Sequence, residues 1–471
     1  MPTSYNVRFW DIRERPKRRK PFEVRWSVDG REGSESFLTK ALAESRKAEL
    51  ITAANNGEPF DLQTRLPASE LRKLRQSVTW YEHTLTYVDE KWDATPAKSR
   101  PGIADALATV TPALVKSEAG RPDLQVLRRA LYSWAYNKKA RETGELPQDW
   151  HQALAWLKKQ SISVSDLEEP LVLRKALQAL SKKLDGQPAA ARTFRRKKVC
   201  FNQVLTFAAE SKYFSTAANP LDALNWTPPR ISEEVDPESV ANPRQVRQLL
   251  DAVRAQGPRG ERLEAFFGCM YYAAMRPSEV INLRVQQCLL PATGWGTLTL
   301  RRGLVRVGRQ WTDTGEAHDQ RSLKWRAPNE SRPIPIPPLF VELLRRHIKE
   351  YGTAKDGRVF QTLRGGVVQE SGYGEVWSRA RESALSPADQ ESLLAKRPYD
   401  LRHAGISFWL HSGVDPAECA RRAGHSLAVM FRIYAKVLAH SQDRANKRID
   451  AALHEWGTSE LQAPDVREGT T

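Results

Sequence analysis

Between positions 219 and 243 the chain reads NPLDALNWTPPRISEEVDPESVANP, and this stretch restricts every architecture open to it. Proline lacks a backbone N–H, fixes its own φ and pushes the residue before it out of the helical region. Neither a continuous helix nor a central strand can therefore pass through. Asn and acidic residues fill 8 of the other 20 positions, which supplies turn chemistry instead of a buried stripe. The chain must fold as separate parts, and the interdomain boundary falls near residue 235. Its 471 residues leave room for about two to four domains, each with a core of its own.

N-terminal to that break the hydrophobic period changes once. Residues 5 to 38 alternate as strands do, in YNVRFWDI, PFEVRWSV and EGSESF, with Asp29-Gly30 as a hairpin turn. One helix, TKALAESRKAELITAA, follows. Between the first two strands lie Arg13, Arg15, Lys17, Arg18, Arg19 and Lys20. They form either a solvated loop or a basic edge that grips a DNA backbone. From about residue 70 to 230 the period becomes helical, as in DLQVLRRALYSWAYNKKA and LVLRKALQALSKKL. The last long helix opens with Arg195, Arg196, Lys197 and Lys198, a charge run that reads as a solvated face or a second DNA contact. No internal repeat of fixed period and no low-complexity segment interrupts the pattern.

Composition narrows the partners. A formal charge of +17 points to polyanions, and nucleic acid leads because neutralised phosphates release their counterions. The four cysteines, Cys200, Cys269, Cys288 and Cys419, have neither disulfide-framework nor zinc spacing, so no metal is expected and a reducing compartment fits. The N-terminus lacks the apolar core of a signal peptide, and no apolar run of about 18 residues could span a bilayer. These features predict a soluble, cytoplasmic protein without membrane contact.

C-terminal to the break come two helix-like runs, PRQVRQLLDAV and ERLEAFFGCMYYAAM, the second leading into RPSEVINLR. Extended segments follow, GTLTLRR, LVRVGRQWT and RSLKWRA, closing with SRPIPIPPLF, and helices then run to the end, the last over about Lys436 to Trp456. Mainly α with small antiparallel sheets, in several domains, is the predicted fold class.

Two arginines here sit at predicted helix starts, Arg276 before Pro277-Ser278 and Arg402 in RPYDLRHAGISFWLHSG. Singly each is commonplace. Together, two guanidiniums make a planar, permanently charged clamp for a phosphodiester and its transition state. From Arg402 to His425 is 425 − 402 = 23 positions, and from His425 to Tyr434 is 434 − 425 = 9. The intervening SGVDPAECARRAGHS encodes a short helix capped by Asp415 and ended by Gly424, with Ser426 capping the next. A helix start, an interhelical turn and the following helix can thus bring the three side chains to one point.

These residues resemble the tyrosine recombinase (phage integrase) family. Its C-terminal signature, an arginine in H-x-x-R-H, a Gly-His turn and a tyrosine, reads here YDLRH, AGHS and IYAKV, and its first arginine segment reads AAMRPSEVINL. The likeness is close over about residues 240 to 456 and looser before that, where the small basic sheet and the helical part look like arm-type and core-type DNA-binding domains. The resemblance implies that Tyr434 attacks the scissile phosphate and holds a 3'-phosphotyrosyl link while the 5'-hydroxyl leaves. The bond energy is then conserved, so neither ATP nor a metal is required. Arg276 and Arg402 would stabilise charge on the phosphoryl oxygens, His425 would donate a further hydrogen bond, and Glu279 would support Arg276.

The family also places a lysine on a β-hairpin as general acid, and Lys324 is the candidate in the extended region. It lies 324 − 276 = 48 positions beyond Arg276, a long spacing that implies WTDTGEAHDQRS enlarges the hairpin. Where the family usually has the first histidine of H-x-x-R, this chain has Tyr399. A phenol donates a hydrogen bond but accepts a proton poorly at neutral pH, so Tyr399 reads as a positioning group. His403 reads as structural.

Three readings compete with the recombinase. A helix-turn-helix regulator would use DPAECARRAGHSLAVMFRIY but leaves Arg276 and SRPIPIPP unused. A type IB topoisomerase would share the chemistry, and a structural protein would make Tyr434 a core residue. The expected organisation is an arm-type sheet and helix over 1–62, a helical core-binding domain over 63–235, a catalytic domain over 236–456 and a flexible tail over 457–471. Expected partners are double-stranded DNA at specific sites, further copies of the chain in a tetramer on that DNA, and a directionality factor or DNA-bending protein. The integrase of a phage or integrative element is the expected biological setting.

Overall fold

Asp29 and Gly30 both adopt positive φ, 52° and 80°, the backbone that a two-residue hairpin turn needs if its strands are to keep their twist. They join β3 (Phe22–Val28) to β4 (Arg31–Phe37), with Val28 opposite Arg31 and Phe22 opposite Phe37. On its other side β3 pairs with β1 (Val7–Phe9) and β2 (Arg13–Glu14), all antiparallel. The helix α1 (Lys40–Asn55), N-capped by Thr39, packs on this sheet and completes a small core with Val24, Trp26, Val28, Ala43 and Leu50. The computed structural model describes residues 3–71, 78–226, 234–323, 330–439 and 442–459.

The chain forms two compact units, one of residues 1–231 with 307–317, the other of 232–306 with 318–471. The first unit holds the small sheet and a helical body comprising α2 (Trp80–Trp92), α3 (Arg100–Val110), α4 (Leu124–Ala130), α5 (Gln148–Gln160), α6 (Pro170–Leu180) and α7 (Ala191–Glu210). Its core gathers Trp80, Leu107, Leu131, Leu157, Leu177, Phe201 and Val204. Residues 307–317 complete it. Buried Arg100 donates to the Trp311 carbonyl at 2.8 Å and to both Asp313 oxygens at 2.6 and 2.9 Å. Trp311 itself packs between Trp92 and Tyr132, at ring distances of 6.2 and 5.3 Å. The WTDTGEAHDQRS stretch therefore does more than lengthen a hairpin, because its first part is a core segment of the helical body.

In the second unit α8 (Pro243–Arg254) and α9 (Pro258–Tyr272) lead to the one-turn helix α10 (Pro277–Ile281). A three-stranded antiparallel sheet follows, ordered β9 (Arg332–Ile336), β6 (Gly296–Leu300), β5 (Cys288–Leu289), and beside it β7 (Arg302–Arg306) pairs with β8 (His318–Ser322). Then come α11 (Pro338–Tyr351), α12 (Glu370–Ala384), α13 (Asp400–His411), α14 (Pro416–Ala423), α15 (Leu427–Ala439) and α16 (Gln442–Ser459). The core runs through Phe266, Phe267, Met270, Ile334, Phe340, Trp377, Leu401, Ile406 and Met430. The expected last helix, Lys436 to Trp456, is divided instead between α15 and α16. The expected extended run RSLKWRA lies mostly outside the described residues. No helix among the described residues is long and apolar enough to cross a membrane.

Candidate active site

The local turns form as the sequence predicts. Asp415 accepts from the Ala417 N–H at 2.7 Å and caps α14, Gly424 ends it at φ 65° and ψ 50°, and Ser426 accepts from Val429 N–H at 3.3 Å to cap α15. Glycine is required at 424 for two reasons, since the left-handed backbone penalises a side chain and a Cβ there would collide with the Arg332 guanidinium.

On this turn the candidate side chains converge. Arg276, at the start of α10, donates from Nη2 to the Gly424 carbonyl at 2.9 Å and from Nη1 to Glu279 at 2.9 Å. Arg402, in the first turn of α13 and fully buried, donates to the Ala274 carbonyl, to the Ala423 carbonyl at 2.6 Å and to His425 Nε2 at 2.9 Å. A guanidinium has no acceptor, so His425 Nε2 accepts and the imidazole proton resides on Nδ1. Burial, followed by the charges of Arg402 and Arg276, lowers the His425 pKa to about 2, and the ring is neutral at physiological pH. Its ring lies 6.3 Å from that of Tyr434.

Tyr434 is fully buried, and the helix around it breaks at that residue, with φ −110° and ψ 20°. Its hydroxyl lies 2.9 Å from His403 Nδ1. Burial pushes the phenol well above its ordinary value of 10, against the opposing influence of Arg402. Tyr399 stacks edgewise on His403 at 5.3 Å, one helical turn before it.

Glu279 is the anionic hub. It is buried, accepts from the Arg276 backbone N–H at 2.8 Å and receives a bidentate pair from Arg332 at 3.1 and 2.7 Å. Burial works against its charge, but Arg332, Arg276 and Arg402 overcome that and hold its pKa at about 2. Arg332 was not singled out from the sequence, although it opens the segment recognised as a strand. The Pro333 that follows gave no sign that it turns inward to a carboxylate 332 − 279 = 53 positions away. Three guanidiniums surround one carboxylate, a net charge of 3 − 1 = +2 around a largely buried centre. Such an excess is costly to bury unless an anion completes it, and this arrangement suits a phosphodiester whose charge rises in the transition state. The Arg402 Nε–H has no partner among the described residues.

The remaining candidates fall elsewhere. Lys324 lies outside the described residues. In the first unit, Arg13, Lys17, Arg18, Arg19 and Lys20 are exposed, while Arg15 pairs with Glu23 at 3.0 Å. Arg195 and Arg196 are exposed on α7, Arg196 pairing with Asp105, and Lys198 is half-buried. Lys197 corrects the expectation of a continuous basic face. It falls on the buried stripe between Phe194 and Phe201 and donates inward to Thr109 at 2.8 Å, with Asp105 at 3.4 Å. No cluster of three or more His, Cys, Asp or Glu suited to a metal occurs among the described residues.

The model of the phage integrase family matches residues 240–440. The chain is similar to the integrase of Mycobacterium phage L5, 26% identical over 215 residues that make up 44% of this chain and 53% of that protein. It thus spans about half the length of this curated relative. Among solved structures, the Tn1549 transposon integrase in complex with a circular intermediate DNA is 15% identical, covering 69% of this chain and 99% of that one with a TM-score of 0.46. A lambda integrase dimer bound to a COC' core site is 11% identical, covering 89% and 94% with a TM-score of 0.44. Residues 240–440, which carry Arg276, Glu279, Arg402, His425 and Tyr434, match the phage integrase family as a domain within this chain.

Proposed function

We propose that the protein is a site-specific DNA recombinase that breaks and rejoins DNA through a 3'-phosphotyrosyl intermediate. The observation that carries this reading is the surplus of buried positive charge beside a tyrosine hydroxyl. Arg276, Arg332 and Arg402 outnumber Glu279, and Tyr434 adjoins them through His425. In the proposed reaction the Tyr434 oxygen attacks phosphorus and the P–O5' bond breaks. Arg276 and Arg402 take the charge that grows on the non-bridging oxygens. Neutral His425 steadies Arg402 by accepting at Nε2, and its Nδ1–H is the donor it can offer to a phosphoryl oxygen. Attack by a 5'-hydroxyl reverses the step and reseals the strand without any external energy source.

The described residues offer no histidine at position 399, and Lys324 remains the proposed donor to the leaving oxygen. DNA would be gripped outside the centre by the exposed basic loop of Arg13 to Lys20 and by Arg195 and Arg196, as the charge of +17 favours. Strand exchange joins two duplexes, so the active species is proposed to be a tetramer on DNA. The setting is proposed to be a phage or integrative element, with a directionality factor or DNA-bending protein as a further partner. The test is recombination between two plasmids that carry DNA from the two flanks of the gene. Recombinant junctions support the reading, whereas relaxation of supercoils without exchange would favour a type IB topoisomerase.

A further inference from the structure

Resting on that reaction, we infer that His403 is the proton acceptor for Tyr434, a role the sequence assigned to no residue. The nucleophile must lose a proton as its oxygen bonds to phosphorus, and burial keeps the Tyr434 phenol protonated until then. Each neighbour can be weighed for the task. Arg402 and Arg276 have no lone pair to offer. His425 uses Nε2 to accept from Arg402, and protonating it beside two guanidiniums is strongly opposed. Tyr399 is a phenol and accepts a proton no better than Tyr434 itself. His403 Nδ1 faces the Tyr434 hydroxyl at 2.9 Å, within the reach of a general base.

The backbone explains how it gets there. Residues 399 and 403 are four apart and share one face of α13, with their rings 5.3 Å apart. Arg402 is one position, about 100°, around the same helix and points to the Ala423 carbonyl instead. The break of α15 at Tyr434 turns the phenol toward the 399–403 face. The histidine missing at 399 is thus replaced, for proton transfer, by one a helical turn later.

Atoms balance as follows. The Tyr434 oxygen forms its bond to phosphorus, the phenolic proton passes to His403 Nδ1, and the P–O5' bond breaks with its electron pair on O5', which takes a proton from the acid donor. Resealing returns the proton from His403 to the departing Tyr434 oxygen. Neighbouring titratable groups of His403 include Tyr399, Tyr434 and His425.

The experiment is single-turnover cleavage by the full chain of nicked duplexes tiled across the DNA flanking the gene, read as covalent protein–DNA adduct. It compares His403→Asn and His403→Ala with the unaltered protein and with Tyr434→Phe. Asn keeps an acceptor oxygen near the position of Nδ1 but cannot take the proton. Both variants are expected to bind DNA normally and to cleave about 100-fold more slowly or worse. Added imidazole should speed His403→Ala, and the defect should persist on a 5'-bridging phosphorothiolate, whose sulfur leaves without an acid. Cleavage at the unaltered rate, or full recovery of both variants on the phosphorothiolate, would overturn the inference while leaving the recombinase reading intact. No adduct with the unaltered protein on any duplex, or an adduct undiminished in Tyr434→Phe, would remove that reading and the inference with it.

Discussion

Replacing Glu279 with glutamine keeps the shape of the site and removes the buried carboxylate that Arg276 and Arg332 share. The structure sets the magnitude. The carboxyl is held at about 2 by Arg332, Arg276 and Arg402, against an ordinary value of 4.5. A difference of 4.5 − 2 corresponds to about 3 kcal/mol of interaction favouring the ionised form in the folded state. Loss of a partner from a buried pair, leaving charge uncompensated, costs about 3–5 kcal/mol in general, so the two routes agree. Glu279→Gln should therefore destabilise the second unit by about 3 kcal/mol, about 6–12 °C in Tm for a domain of this size. The sign with pH follows from the depressed value. The stabilisation is complete above pH 4.5, is lost as pH falls toward about 2, and should be missing from Glu279→Gln throughout. Calorimetry of the full chain should show the transition of the second unit moving while that of the first stays. In a double-mutant cycle, Arg332→Met should cost far less in the Glu279→Gln background than alone. A Tm within about 2 °C of the unaltered protein, set against the shift expected from domain size, would refute the claim that Glu279 neutralises the arginine cluster.

Other consequences are measurable with the same preparations. Gly424→Ala places a methyl against Arg332 at a left-handed backbone position and should cost more than about 1 kcal/mol, with loss of DNA cleavage. Trp311→Ala should destabilise the first unit, not the second, by about 3–5 kcal/mol, because the Trp311 ring is buried with Trp92 and Tyr132. Calorimetry would detect either pattern. His425 remains neutral down to about pH 2, so its contribution to stability is complete above about pH 6.5 and falls as the medium becomes more acid. His425→Gln should flatten that acid limb in urea titrations between pH 4 and 7.

Much of the site was legible because its signals are local. Asp415, Gly424 and Ser426 announce helix ends by their own chemistry, and the spacing from Arg402 through His425 to Tyr434 carries across them. What escaped the sequence depends on contacts between distant segments. Arg332 gave no local sign of turning to Glu279, and Lys197 looked like one charge in a run until Phe194 and Phe201 put it on the buried stripe. Trp311 read as part of a loop insertion, yet Arg100, 311 − 100 = 211 positions earlier, holds its carbonyl. His403 read as structural because a histidine after that arginine is common in the family the sequence resembles. Only the packing of α13 on α15 reveals what it faces.

The central claim is that Tyr434 becomes covalently joined to DNA. The most direct measurement is to trap the full chain on nicked duplexes, digest both polymers and locate the nucleotide-bearing peptide by mass spectrometry. The account predicts a single modified peptide with the nucleotide on Tyr434, absent from Tyr434→Phe although that variant still binds DNA. A nucleotide attached to any other residue, or an undiminished adduct in Tyr434→Phe, would contradict it.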